Sequence, residues 1–280
     1  MDAALGGLSR LEILPFDRRR AYVFREEVSA KRFGHNSTVS AFHHMGLIPL
    51  GSDRVPHPAT FLRHAIHETV HAKSANVIRL GARSGLIKLG FERVPMSVVE
   101  EREMTQLFRG FSEGITVLIE RAATDIARAD KKYRGAFESF ERENAANLAA
   151  ADEDWPGENE SITAFVTNAD GSVTVTRMYV FEPGMVATII SEIADREDVP
   201  ILDVFRRMVD AYRSGSFETI KTSIRDRFGP LAWKVLSRWA IGTTDREQTR
   251  LMDFFTETDP AERDRIGNEI VDKSSSVKKI

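Results

Sequence analysis

Apolar and polar positions change their period several times along the chain, and each change marks an element. Between Pro58 and Ala75, the residues Phe61, Leu62, Ala65, Ile66 and Val70 recur at helical spacing, while His64, His67 and His71 fall three and four apart on another face. Such spacing predicts a helix with a core side and a histidine side. Pro58 suits its first position, where a missing N–H has no intrahelical partner to lose.

After Ala75 the period shortens. Asn76–Gly81 and Leu86–Phe91 are β-rich runs around Arg83-Ser84-Gly85, which predicts a hairpin closed by Pro95. A helical pattern follows from Ser97, acidic in its first turns at Glu100, Glu101 and Glu103, and Gly110 is expected to interrupt it. Phe111–Arg121 resumes a helix, and Thr124–Ala151 continues as one long solvated helix or a helix pair. Asp152–Glu160 is acidic and holds Pro156 and Gly157, a loop or lobe boundary.

Ser161–Thr167 and Ser172–Phe181 flank Asn168-Ala169-Asp170-Gly171, a strong hairpin signal. From Pro183 only helices are expected: Met185–Asp195, Ile201–Tyr212, Phe217–Phe228, Leu231–Ile241, Arg246–Phe255 and Ala261–Asp272. Trp233, Trp239, Phe205, Phe217 and Phe228 are assigned to their core. Near the N-terminus, Leu8–Phe16 reads as a strand and Ala21–Val28 as a strand or helix. Met45–Gly51 with Pro49 reads either as an edge strand able to pair with an extended peptide or as a buried loop segment.

The fold class is therefore α+β and mostly helical, with small β hairpins and a helical C-terminal lobe. The expected division is a first lobe at 1–151, a hairpin linker at 152–182, the helical lobe at 183–273 and a flexible tail at 274–280.

A chain of 280 residues can bury a sizeable core without staples, so any metal would serve function rather than folding. The net charge of −3, with signs mixed along the chain, argues against nucleic acid or an anionic membrane as partner. Cysteine is absent, which excludes disulfides and thiolate zinc sites. Met1–Arg20 lacks an apolar leader and carries Arg18-Arg19-Arg20, and no apolar run approaches the roughly 20 residues of a membrane span. A cytoplasmic protein is expected.

Chemistry concentrates in one place. All seven histidines, His35, His43, His44, His57, His64, His67 and His71, lie between residues 35 and 71. His67-Glu68-Thr69-Val70-His71 is an H-E-x-x-H, which on a helix turns two imidazoles toward one ion. Zn2+ suits such a site, because two neutral imidazoles and a carboxylate leave a position for a water whose pKa falls to about 7. Glu113, among apolar residues in Phe111–Arg121, is the leading third ligand, since a buried carboxylate is costly unless paired or bound to metal. His35, His43, His44 and His57 are read as surface or loop histidines, and His64, one turn before His67, as a candidate contact to substrate or an adjacent carboxylate.

His67, Glu68, His71 and the later Ser112-Glu113-Gly114-Ile115-Thr116 together resemble the gluzincin branch of zinc metallopeptidases. The resemblance covers residues 45–125 and implies a zincin-like catalytic lobe, zinc on His67, His71 and Glu113, and Glu68 as general base. Many gluzincins carry an aspartate one turn after the third ligand, where it orients a zinc histidine; this chain has Val117 there. The orienting group is then expected from Glu120, two turns on from Glu113, or from a backbone carbonyl. Tyr179 is the candidate donor to the oxyanion of the intermediate.

These readings predict zinc-dependent hydrolysis of a peptide bond in a peptide or protein substrate. The competing expectation is a zincin-like scaffold whose structural or vestigial metal site serves binding or regulation. A nucleic-acid module in the helical lobe is disfavoured by matched acidic and basic residues.

Overall fold

The computed structural model describes residues 21–24, 48–51, 58–80, 84–97, 107–150, 162–167, 170–177, 179–241 and 243–276. Helices dominate these residues, with short strands between them. Strand β1 (Ala21–Phe24) pairs in parallel with β2 (Ile48–Gly51), Tyr22 opposite Pro49. Each strand of a two-stranded sheet is an edge, the setting in which a residue without an N–H is tolerated.

Helix α1 (Pro58–Lys73) starts at the proline the sequence singled out. Its buried positions are Ala59, Ala65 and Glu68, while Phe61, Leu62, Ile66 and Val70 are half-buried, so the expected apolar face is covered only in part.

The region after α1 departs from the expected hairpin. β3 (Asn76–Leu80), β4 (Ser84–Leu89) and β5 (Glu92–Ser97) form a three-stranded antiparallel sheet in that order. Pro95 does not close the sheet; it sits inside β5 opposite Leu86. β5 is an edge strand, where the missing donor need not break the ladder. Gly90 makes the tight link from β4 with φ of 56°, a conformation that costs glycine little.

Helix α2 (Arg109–Ala129) holds a second correction: Gly110 lies within its first turn rather than interrupting a helix. Its N–H donates to the Trp239 carbonyl at 3.0 Å, and a Cβ at this position would fall 2.4 Å from the Trp239 indole nitrogen. This glycine permits close approach instead of ending an element. The helix expected from Ser97, with its acidic first turns, lies outside the described residues. So do Leu8–Phe16 and the loop 152–160.

α3 (Lys131–Ala150) follows α2 after a break at Asp130, whose Oδ1 accepts from the Lys132 N–H at 2.9 Å. The open choice between one helix and two is thus resolved as a pair. β6 (Ile162–Thr167) and β7 (Val173–Arg177) form the expected hairpin. At its turn Asp170 Oδ1 accepts from the Ser172 N–H at 2.9 Å, and Gly171 has φ of 82°.

Six helices then follow, as the periodicity required: α4 (Phe181–Glu197), α5 (Ile201–Ser214), α6 (Glu218–Phe228), α7 (Ala232–Arg238), α8 (Asp245–Thr256) and α9 (Pro260–Ser276). Gly215 ends α5 in the left-handed conformation, and Thr244 with Glu247 forms a capping box at the start of α8. Helix α9 continues to Ser276, three residues into the tail expected from Ser274.

The chain folds as two units that alternate along the sequence, one of Lys73–Ile115 and Phe181–Ile280, the other of Glu12–Ala72 and Thr116–Val180. The first has two apolar centres. Phe91 packs on Phe111, Phe217 and Tyr212 with ring centroids at 4.8, 4.9 and 5.9 Å. Arg93 covers Phe217 at 4.3 Å, and burial lowers its guanidinium to about 10. Phe228, Phe254 and Phe255 build the second centre, edge to face at 5.0 and 4.9 Å. Of the aromatics assigned to the core, Trp239, Phe217 and Phe228 are buried, whereas Trp233 and Phe205 are half-buried. No helix among the described residues is long and apolar enough to cross a membrane.

Candidate metal centre

Helical geometry brings the chemistry together. On α1, His67 and His71 are one turn apart, and their Nε2 atoms face each other at 3.3 Å with ring centroids at 4.9 Å. Two neutral imidazole nitrogens this close repel through their lone pairs unless a proton or a cation lies between them. The separation matches the edge of a tetrahedron, about 3.3 Å for metal–nitrogen bonds near 2.05 Å.

Glu113 is the third member. One donor atom from each of His67, His71 and Glu113 lies within 4.8 Å of the others. The three residues that H-E-x-x-H and the later Glu-Gly singled out are therefore brought together. Glu113 is 7 % exposed and follows Phe111 and Ser112, both buried, on a turn of α2 that is covered all round. A carboxylate in that setting needs a cationic neighbour, and the donor chemistry, two imidazoles and one carboxylate, fits Zn2+ or a similar borderline divalent ion. His64 does not belong to this group.

The adjacent Gly114 explains why a glycine follows Glu113. A Cβ there would meet the Glu182 carbonyl oxygen and Val186 Cγ2, each at 2.6 Å. Only a residue without a side chain lets α2 lie this close to the first turns of α4.

Around His67 the charges are ordered. Arg63, one turn earlier on α1, donates from Nε to Glu120 Oε1 at 2.9 Å. Glu120 Oε2 lies 3.9 Å from Nδ1 of His67, the ring nitrogen turned away from His71. Burial alone would raise the Glu120 carboxyl, but the facing His67 ring and the Arg63 guanidinium carry it down to about 2, so it stays ionised. Burial lowers the His64 imidazole to about 4, aided by His67 and Arg63 and opposed by Glu120, so His64 is neutral near pH 7.

Glu68 is buried on α1, one residue round the helix from His67. Tyr179 follows β7, and its ring lies nearly parallel to that of His67, 12° between planes and 5.8 Å between centroids. It holds φ of 53°, an uncommon conformation for a residue with a side chain and one that tends to occur at functional sites. His35, His43, His44 and His57 lie outside the described residues. Arg63 was not singled out from the sequence. Its signal was present, since a residue four before His67 occupies the same face one turn earlier. No protein-family model, curated protein or solved structure matches the chain.

Proposed function

We propose that the chain is a zinc-dependent peptidase of the gluzincin type, and the observation that carries this reading is the convergence of His67, His71 and Glu113 donor atoms within 4.8 Å. These three residues would hold the ion. When bound, zinc supplies a Lewis acid that polarises a carbonyl and lowers the pKa of water.

The chain's own residues supply the remainder. Glu68 accepts a proton at its carboxylate from the attacking water and passes it to the leaving amine, a task that needs short reach more than a shifted pKa. Tyr179, beside His67, offers a hydroxyl to the oxyanion that develops on the substrate carbonyl. Among the described residues the donor group has three members and omits His64, which supports an open catalytic position over one closed by His64. The expected substrate is a peptide or protein, cleaved at an amide bond.

The deciding experiment measures zinc content and peptidase activity of the purified protein and of Glu68→Gln. Stoichiometric zinc in both, with turnover only in wild type, supports the reading. Wild type without zinc at neutral pH ends it, and zinc without activity on any peptide library favours a binding scaffold.

A further inference from the structure

We propose that Glu120, held by Arg63, is the group that fixes the orientation and tautomer of the metal-facing His67. This inference rests on the metal-centre reading above and extends it to residues outside H-E-x-x-H. Glu120 is a positioning residue, since it acts through His67 and does not belong to the donor set.

The argument is geometric. The Nε2 atom of His67 faces His71 at 3.3 Å, which leaves Nδ1 for the other side of the ring. On that side Glu120 Oε2 lies 3.9 Å from Nδ1. A rotation of the ring that moves Nδ1 by roughly 1 Å closes this gap to a hydrogen bond. A carboxylate facing Nδ1 draws the ring proton there and leaves the Nε2 lone pair free, the form a metal ligand requires.

Glu120 cannot easily turn away. Its side chain is 6 % exposed, and its second oxygen is engaged by Arg63 Nε at 2.9 Å. Arg63 and His67 occupy successive turns of α1, so one carboxylate from α2 bridges two positions of the metal helix. The same bridge ties α1 to α2 independently of any ion.

The test reads the tautomer and metal affinity separately. In protein stripped with chelator, 15N NMR of histidine-labelled samples reports which ring nitrogen of His67 bears the proton. Wild type is expected in the Nδ1–H form. Arg63→Met with Glu120→Leu removes the acceptor and its counter-charge together, so no buried charge is stranded. This double variant is expected to move His67 toward Nε2–H and to weaken zinc binding by about 10- to 100-fold in chelator competition.

Glu120→Gln, whose amide oxygen still accepts, is expected to keep the Nδ1–H form with a smaller loss of affinity. An Nε2–H tautomer in wild type, or a double variant with unchanged tautomer and zinc affinity, overturns the inference. The expected tautomer in a wild type that binds no zinc upholds the orienting role of Glu120 and instead overturns the proposed function.

Discussion

The Nε2 atoms of His67 and His71 stand 3.3 Å apart across one turn of α1, close enough that a proton or an ion must mediate between them. Removing either ring, or the Glu113 carboxylate that completes the group, should cost more zinc affinity than the roughly 10- to 100-fold typical of outer-shell changes. Chelator competition on His67→Ala, His71→Ala and Glu113→Ala checks this. Zinc affinity in wild type should also fall as pH drops, since protons compete for the same nitrogens.

Tyr179→Phe separates the hydroxyl from the ring. The near-parallel packing on His67 needs only the ring, so zinc affinity should stay within a few-fold of wild type. Turnover should fall by about 100-fold if the hydroxyl stabilises the oxyanion, as removal of one such donor typically does. Steady-state kinetics beside a zinc titration distinguish the two effects.

The metal-free protein should lose stability on acidification in two overlapping steps. His64 is held at about 4, below its ordinary 6.5, so between those values the unfolded chain binds a proton that the folded chain refuses. Stability is therefore full above pH 6.5 and declines as pH falls toward 4. Glu120, depressed to about 2 from 4.5, adds a further loss as pH falls from 4.5 toward 2. Thermal melts in chelator across this range should show a monotonic fall in Tm, and Glu120→Gln should flatten its acid end.

Gly114→Ala tests the contact between α2 and α4. An alanine gains about 1 kcal/mol of helix propensity over glycine. Its Cβ, however, would lie 2.6 Å from a backbone oxygen, and overpacking of this kind costs about 1–3 kcal/mol. The expected net result is a less stable protein, read as a lower midpoint in urea. At Gly135, where a Cβ would meet nothing within 4 Å, the same change should stabilise.

Thr244→Ala removes one half of the capping box at α8, where the Thr244 N–H donates to Glu247 at 2.9 Å and the Thr244 hydroxyl accepts from the Glu247 N–H. The loss should be about 1 kcal/mol without effect on zinc binding. Equilibrium unfolding with a parallel zinc titration checks both parts.

Much of this was legible because local patterns carried it. The start of α1 at Pro58, the β6–β7 hairpin and the six C-terminal helices each follow from turn residues and period. The grouping of His67, His71 and Glu113 was legible for the same reason, since four-residue spacing puts the two histidines on one helix face and Glu113 stands among apolar residues in the sequence. What escaped depended on partners distant in sequence. Pro95 reads as a stop until β4 supplies the neighbour beside which an edge strand can hold it. Gly110 reads as a break until Trp239 shows why a side chain is excluded. Arg63 gains meaning only through Glu120, 57 residues away.

Glu113 and Glu120 are separated by two turns of one unbroken helix, which makes the length of that interval a constraint of a different kind from its composition. The intervening residues can be exchanged while both carboxylates keep their bearing. A single residue inserted or deleted between them turns one carboxylate by about 100° relative to the other. Substitutions in 114–119 should thus be tolerated wherever packing allows, but changes of length there should uncouple the carboxylate grouped with His67 and His71 from the acid that faces His67.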